Sequence, residues 1–509
     1  VPEPRIVAFL CNWCAYAAAD AAGRAKLGTP QGLLSIRVMC TGRVEPAFVL
    51  QAFREGADGV LVAGCHPGDC HYVDGNLRAA ARHALLAGLL EQLGVSRERF
   101  RLEWIGASEP DRLVRVAREM AERLRALGPL RAADEALEGV ARALAGVPEA
   151  AAGAPDAGTP AGAPAGAAAA LAGAVRLPLA PPGGKPRIAF YWNASCGGCE
   201  EAVLDLDEDL LGVLDRVEVV LWPVALDHKR KDVEALPDGS IAVTFLNGAV
   251  RLEEQAEWAR LLRRKSRWIV AFGACAHTGG IVGLGNLAGR DEILETAYRS
   301  LPSVANPEGT VPGGTAGGAP GRAGGPASAL PALLPAAVPL ARVVEVDFVV
   351  PGCPPSPTVV ARAVERLLSG DPPPRGAVLA PVEALCEACD RRDSRPERLE
   401  TTALADLATT APDPVTCFLA QGIPCMGPAT RRGCEPGCLG VNMPCRGCFG
   451  PTDGAVDPGA AMLSATASLF RGDPADLARL AGRVADPAGT FFRYGLAAST
   501  LPGRAGGGR

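Results

Sequence analysis

Between residues 5 and 128, short apolar runs alternate with longer stretches in which apolar residues recur every three or four positions. The runs "RIVAFL" (5–10), "LLSIRVM" (33–39), "GVLVAG" (59–64) and "RLEWIG" (101–106) have the length and β-branched content of strands. The stretches "EPAFVLQAFREG", "NLRAAARHALLAGLLEQLG" and "PDRLVRVAREMAERLRALG" carry an apolar stripe at helical spacing. Such alternation predicts a parallel sheet covered by helices over 1–128.

The pattern then breaks and returns. Residues 129–184 are dominated by Ala, Pro and Gly and predict a flexible linker, with one short helix at 131–146. A second α/β unit is predicted over 185–380, with strands in "RIAFYWN" (187–193), "VEVVLWPV" (217–224), "IAVTFL" (241–246), "RWIVAFGA" (267–274) and "VVEVDFVVPG" (343–352). Its helices include "EEQAEWARLLRRK" and "TVVARAVERLLSG", and residues 303–340, rich in Pro, Gly and Ala, read as a disordered surface insertion. Regular periodicity fades over 381–455, and 456–509 holds two helical patterns, "AAMLSATASLFRG" and "PADLARLAGRV", before a Gly/Arg tail.

Composition removes several classes of function. With 509 residues and 48% hydrophobic content the chain can bury several cores, and a net charge of −5 gives none of the basic footprint of a nucleic-acid binder. The weakly polar runs at 165–175 and 329–341 are too short or too broken by proline to span a bilayer, so no membrane span is expected. "VPEPRIVAFLCNWC" has no basic n-region, twin-arginine signal or cleavage site, which points to the cytoplasm. Thiols stay reduced there, and 17 cysteines in such a compartment suggest metal rather than disulfides.

The cysteines sit where strands end. Cys11 and Cys14 follow the first predicted strand, Cys40 ends the second, and Cys65 and Cys70 follow the third. In the second unit Cys196 and Cys199 follow the first strand, while Cys275 and Cys353 end two later ones. Open parallel sheets bind ligands beyond the carboxyl ends of their strands, so each unit can gather its thiolates into one cluster. The segment after 380 adds Cys386, Cys389, Cys417, Cys425, Cys434, Cys438, Cys445 and Cys448, enough for two further four-cysteine sites.

Three other chemistries use similar residues. Paired C-x-x-C motifs also suit structural zinc, although cysteines at sheet ends are unlike a zinc ribbon. A thiol–disulfide oxidoreductase would use "CNWC" or "CGGC" and leave the other strand-end cysteines unexplained. A flavin mononucleotide carrier needs a phosphate-binding Ser/Thr/Gly loop after the first strand, where both units have cysteines.

The motifs "CGGCE" (196–200), "GACAHTGG" (273–280), "PGCPPSP" (351–357), "CEAC" (386–389) and "IPCMGPATRRGCEPGCLGVNMPCRGCFGP" (423–451) resemble the small, electron-transferring subunit of cytoplasmic nickel–iron hydrogenases. The resemblance is to the gamma subunit of the methyl-viologen-reducing and deazaflavin-reducing types. Residues 1–128 resemble the delta subunit of the methyl-viologen-reducing hydrogenase through "CNWCAYAAAD", "IRVMCTGRV", "FREGADGVLVAGCHPGDCHY" and "RFRLEWIGASE".

These resemblances imply an α/β protein of two parallel-sheet, flavodoxin-like domains joined by a flexible linker and followed by a cysteine-rich irregular iron–sulfur segment with short helices. Cys196, Cys199, Cys275 and Cys353 would hold a proximal 4Fe-4S cluster. Cys434, Cys438, Cys445 and Cys448 would hold a medial one, and Cys386, Cys389, Cys417 and Cys425 a distal one. Four of Cys11, Cys14, Cys40, Cys65 and Cys70 would hold a 2Fe-2S cluster, with Cys70 or Cys40 to spare. Cys386 stands where periplasmic members have histidine, and Cys438 makes their three-cysteine medial site a four-cysteine one. The implied function is electron transfer, without catalytic residues of its own, from a separate nickel–iron large subunit to a heterodisulfide-reductase-type flavoprotein. A deazaflavin- or nicotinamide-reducing partner and a zinc-stabilised scaffold are the alternatives. His66, His71, Arg37, Arg43 and Glu200 are weaker candidates, each with an ordinary loop or surface role open to it.

Overall fold

The strand Gly59–Gly64 is buried at every position, as expected of a central parallel strand with helices on both faces. The computed structural model describes residues 3–130, 134–146, 184–312, 330–369, 371–395, 399–435 and 437–504. In the first unit β1 (Ile6–Cys11), β2 (Leu33–Val38), β3 (Gly59–Gly64) and β4 (Phe100–Trp104) are parallel in the order β2-β1-β3-β4. Helices Ala15–Arg24 and Pro110–Leu127 pack together on one face, closing over Ile6, Ala8, Leu10 and Leu61. Helices Pro46–Arg54 and Gly75–Gln92 close over Phe9, Val60 and Val62 on the other.

The second unit contains β5 (Arg187–Trp192), β6 (Glu218–Leu221), β7 (Ile241–Asn247), β8 (Val250–Leu252), β9 (Ser266–Phe272), β10 (Leu333–Val338), β11 (Phe348–Val350) and β12 (Ala377–Val378). Six of them form a parallel sheet in the order β12-β11-β9-β7-β5-β6. Counted along the chain, β6-β5-β7-β9-β11 have the 2-1-3-4-5 order of flavodoxin-like sheets, and the first sheet has its 2-1-3-4 part. The strand order reverses between β1 and β3 and again between β5 and β7, and the crevices there open towards the cysteines.

Three expectations need correction. Residues 330–340 of the predicted insertion are ordered: β10 pairs antiparallel with β8 and buries Leu334, Ala336, Ala337 and Val338. Pro335 is tolerated because β10 belongs to a two-stranded ribbon whose register shifts along this stretch. Residues 313–329 lie outside the described residues. Secondly, helix Asp134–Gly146 is no free linker element, since Val140 and Leu144 enter the core of the second unit and the Arg260 guanidinium donates to the Leu144 carbonyl at 2.8 Å. The rest of the predicted linker, 147–183, is not described.

Thirdly, only Phe348–Val350 of "VVEVDFVVPG" is strand. The buried Asp347 ends the approach to it by accepting from the Ile269 N–H at 2.8 Å and from Arg263 at 2.5 Å, with Arg375 at 3.2 Å. Asp347→Ala would strand these donors, and removing one partner of a buried pair costs about 3–5 kcal/mol. A clear fall in the thermal midpoint, with Arg375→Ala falling much less because Arg375 is exposed, is the expected calorimetric result.

The described residues of 381–455 form an irregular segment of short 3₁₀ turns with one α-helical turn, Gly437–Gly440. After it come helices Pro458–Leu469, Pro474–Gly482 and Pro487–Phe491. Each is preceded by an aspartate, Asp457, Asp473 or Asp486, whose carboxylate accepts first-turn N–H groups, and each has proline at its start. These helices pack on Gly75–Gln92 of the first unit, so Leu85, Leu86, Leu89 and Leu90 share one core with Leu463, Leu477, Leu480 and Phe491. Polar contacts close the joint: Arg82 to the Ser468 hydroxyl at 3.4 Å, the Ser464 hydroxyl to Glu45, which Arg82 holds at 3.2 Å within the first unit, and Gln92 to Asp486 at 2.9 Å. No described helix is long and apolar enough to cross a membrane.

Candidate metal centres

At the carboxyl end of the first sheet, the β1-to-helix turn presents Cys11 and Cys14 to Cys65 beyond β3. The three sulfurs lie within 4.8 Å of one another and all three residues are buried. Hydrogen bonding with Cys14 holds the Cys11 thiol down to about 6 and pushes Cys14 up in turn, so the trio shares its protons unevenly. Cys40 and Cys70 adjoin this trio at the start of helix Gly75–Gln92. A Cβ on Gly75 would overlap the Cys40 sulfur and reach 3.4 Å from that of Cys70.

In the second unit, Cys199 lies close enough to Cys275, Cys353, Cys196 and Glu200 to interact with each of them. Gly273, with φ +86°, lets β9 turn beneath the Cys199 sulfur, where a side chain would collide with it. Burial raises the Cys275 thiol, and the nearby Val282 and Ile281 backbone N–H groups offset part of that. Burial pushes Cys353 up to about 11, and binding a cation there would release its proton.

The later cysteines gather in two groups. Cys386 is flanked by Cys425, Cys389 and Cys417, and burial pushes it up to about 12. Cys448, also pushed up to about 12 by burial, faces Cys434 and Cys438. Cys445 interacts with Cys448 and, on its other side, with Cys425, while the Met426 N–H donates to the Cys445 carbonyl at 3.0 Å. Cys448 also lies within electrostatic range of Cys353 of the second unit.

The groups are neighbours: Cys353 lies within electrostatic range of Cys448, and Cys445 within that of Cys425. A single tetrahedral zinc, with bonds of about 2.3 Å, needs its sulfurs about 3.8 Å apart. Among the described residues, the sulfurs of Cys11, Cys14 and Cys65 alone come together within 4.8 Å, and the other three groups are spread more widely. Donor sets of four thiols around a wider space fit multi-iron clusters better than single ions.

The weaker candidates have other partners. His66 pairs with Glu109 at 2.7 Å, His71 stacks on Trp13 with centroids 3.9 Å apart, and Arg37 donates to Asn12 at 2.7 Å while lying over Tyr16. Glu200 is not a surface carboxylate: it is 2% exposed, accepts from Asn247 at 3.3 Å and has a carboxyl raised by burial. Sequence reading missed Arg391. It is buried over the Phe418 ring, donates to the Asp413 and Thr416 carbonyls and to Asn442, and ties the Cys386 loop to the Cys438 loop. Its only sequence signal is an arginine two residues beyond C-x-x-C.

Comparison with known proteins matches both units. Residues 6–128 fit the family model described as methyl-viologen-reducing hydrogenase, delta subunit, and residues 196–367 that of NADH ubiquinone oxidoreductase, 20 Kd subunit. The chain is 36% identical over 287 residues to the G-type iron–sulfur subunit of the F420-non-reducing hydrogenase of Archaeoglobus profundus, covering 56% of this chain and 88% of that protein. It is 50% identical over 129 residues to the D-type iron–sulfur subunit of the hydrogenase from the same organism, covering 25% and 94%. A 127-residue stretch is 45% identical to part of the A-type polypeptide of a ferredoxin/F420H2-dependent CoB-CoM heterodisulfide reductase from Methanosarcina acetivorans, covering 25% of this chain and 16% of that protein. The chain belongs to the F420-non-reducing hydrogenase iron–sulfur subunits, with a D-type and a G-type unit in one polypeptide.

Proposed function

We propose that this chain is an electron-transfer subunit, passing electrons from hydrogen, oxidised in a separate nickel–iron large subunit, to a heterodisulfide-reductase-type flavoprotein. Cys196, Cys199, Cys275 and Cys353 are the proximal ligands, Cys434, Cys438, Cys445 and Cys448 the medial, and Cys386, Cys389, Cys417 and Cys425 the distal, each for a 4Fe-4S cluster. The first unit carries a 2Fe-2S cluster. When bound, such clusters supply one-electron carriers whose potential follows ligation, hydrogen bonding and exposure.

The observation that carries this reading is the nearness of one group to the next: the Met426 N–H, beside Cys425, donates to the Cys445 carbonyl at 3.0 Å, and Cys353 lies close enough to Cys448 to raise its thiol. The protein's own contribution is burial and hydrogen bonding. Backbone N–H groups of Gly427 and Cys445 partly offset the effect of burial on the Cys425 thiol, and that of Gly447 does so at Cys445, favouring the thiolate there. Cys196 is exposed, with Trp192 and Ile281 also at the surface, which suits a large subunit seated on the proximal end. The likeness to part of a heterodisulfide reductase polypeptide supports that acceptor over a deazaflavin- or nicotinamide-reducing one. All 17 cysteines are unpaired, which suits the cytoplasm.

The test is iron, zinc and acid-labile sulfide content of anaerobically purified protein, with electron paramagnetic resonance after dithionite reduction. About fourteen irons per chain are expected, from three four-iron clusters and one two-iron cluster. Stoichiometric zinc with little sulfide would overturn the relay in favour of a scaffold.

A further inference from the structure

Arg82 stands in the middle of helix Gly75–Gln92, and its side chain is only 11% exposed. A guanidinium taken so far out of water needs strong partners, because an uncompensated buried charge is costly. Arg82 has few. One amino group donates to the Gly42 carbonyl at 2.5 Å, and the other reaches Glu45 at 3.2 Å and the Ser468 hydroxyl at 3.4 Å. Its Nε is buried and bonds to none of the described residues. Burial holds the guanidinium below the usual arginine range, Glu45 opposes this, and Arg78 and Arg43 lie close enough to add to it.

The place of this charge gives it a use. Gly42 is held at both ends: its N–H donates to the Cys40 sulfur at 3.4 Å, and its carbonyl accepts from Arg82. One residue of backbone therefore separates the guanidinium from the thiols of the first sheet. On its far side Arg82 meets the C-terminal helices through Ser468, while the Ser464 hydroxyl of the same helix donates to Glu45. The cation thus lies between the thiols and the joint, where protein screens it less than water would. Of the carboxylates nearby, Asp74 is engaged with Arg78 at 3.0 Å, and Glu45 keeps 42% of its side chain in solvent.

We propose that Arg82 raises the reduction potential of the centre at the first sheet and so draws electrons across the joint towards it. Reduction by one electron adds negative charge at this thiol group, and a desolvated cation nearby favours the reduced state, since net charge is one of the determinants of such potentials. The step is an electron transfer alone: a four-iron centre of the same chain is oxidised by one electron, the two-iron centre is reduced by one, and no bond breaks and no proton moves. Glu45 acts with the opposite sign, and Ser464 and Ser468 hold the two charges in place. The inference rests on the first unit being a 2Fe-2S carrier.

The full chain, prepared anaerobically as Arg82→Gln, Arg82→Lys and Glu45→Gln, tests it by potentiometric titration of the two-iron resonance. Arg82→Gln is expected to lower the midpoint enough to move the crossing equilibrium about tenfold back towards the four-iron side, which is about 59 mV for one electron. Arg82→Lys, which keeps the charge, is expected to stay near the unaltered chain, and Glu45→Gln to move the midpoint upwards. Opposite shifts in Arg82→Gln and Glu45→Gln distinguish the charge from a general loosening of the joint. An unchanged midpoint in Arg82→Gln, or shifts of the same sign in both, overturns the inference. Should Arg82→Gln fail to fold, a midpoint in Glu45→Gln no higher than that of the unaltered chain overturns it alone. Absence of the two-iron signal from the unaltered chain removes the reading on which the inference rests, and the inference with it.

Discussion

Cys448→Ala is expected to leave the chain with about ten irons instead of about fourteen and to stop hydrogen-dependent reduction of the first unit. Cys448 lies within electrostatic range of Cys434 and Cys438 on one side and of Cys353 on the other, between the groups proposed as medial and proximal. Its removal empties the middle of the series without disturbing either end, because Cys386, Cys389, Cys417 and Cys425 are gathered by separate turns. The check is the reconstituted complex with its large subunit: hydrogen should still reduce the proximal centre, while dithionite, acting from solution, should still reduce the two-iron centre. Retention of all iron, or undiminished passage of electrons from hydrogen to the first unit, would show that the groups do not act in series.

The second large effect belongs to the joint. Leu477 is 1% exposed on helix Pro474–Gly482, which packs against Gly75–Gln92. Leu477→Asp removes a core side chain, worth about 2–5 kcal/mol by truncation alone, and forces a carboxylate into an apolar contact. The joint is expected to open while both sheets persist, since neither sheet draws on Leu477 for its hydrogen bonds. Amide hydrogen exchange at residues 85–90 should then speed up by at least a hundredfold, with residues in β7 and β9 unchanged. Hydrogen should reduce the three four-iron centres and leave the two-iron centre oxidised. Unchanged exchange at 85–90 would mean that the contact is not what keeps the first unit in place.

Much of this was legible in the order of residues. Strands announced themselves because a parallel strand buried on both faces is a continuous apolar run, as in "GVLVAG", and the cysteines after them could be assigned to one end of each sheet before any contact was known. The strand β10 was not legible: Pro331, Pro335 and Pro339 mask an extended segment that needs few ladder bonds in its two-stranded ribbon. "VVEVD" misled in the opposite sense, since its alternation supplies half-buried valines while the Asp347 carboxylate accepts the Ile269 N–H within β9. The joint left a trace that periodicity alone does not interpret. Helix Gly75–Gln92 buries Ala79, Ala80, Ala81, Leu85, Leu86, Leu89 and Leu90, a wider apolar surface than one sheet can cover.

That wide surface sets the order in which the molecule can be made. The Arg82–Ser468 contact joins residues 386 apart, so the ribosome finishes the first sheet long before it delivers the helices that cover it. At about 5–20 residues per second, Leu86, Leu89 and Leu90 wait about 20–80 s in the nascent chain without their final neighbours. Over that interval the half-covered helix is a binding surface for chaperones, and premature release of the chain exposes it to aggregation before any thiol has met iron.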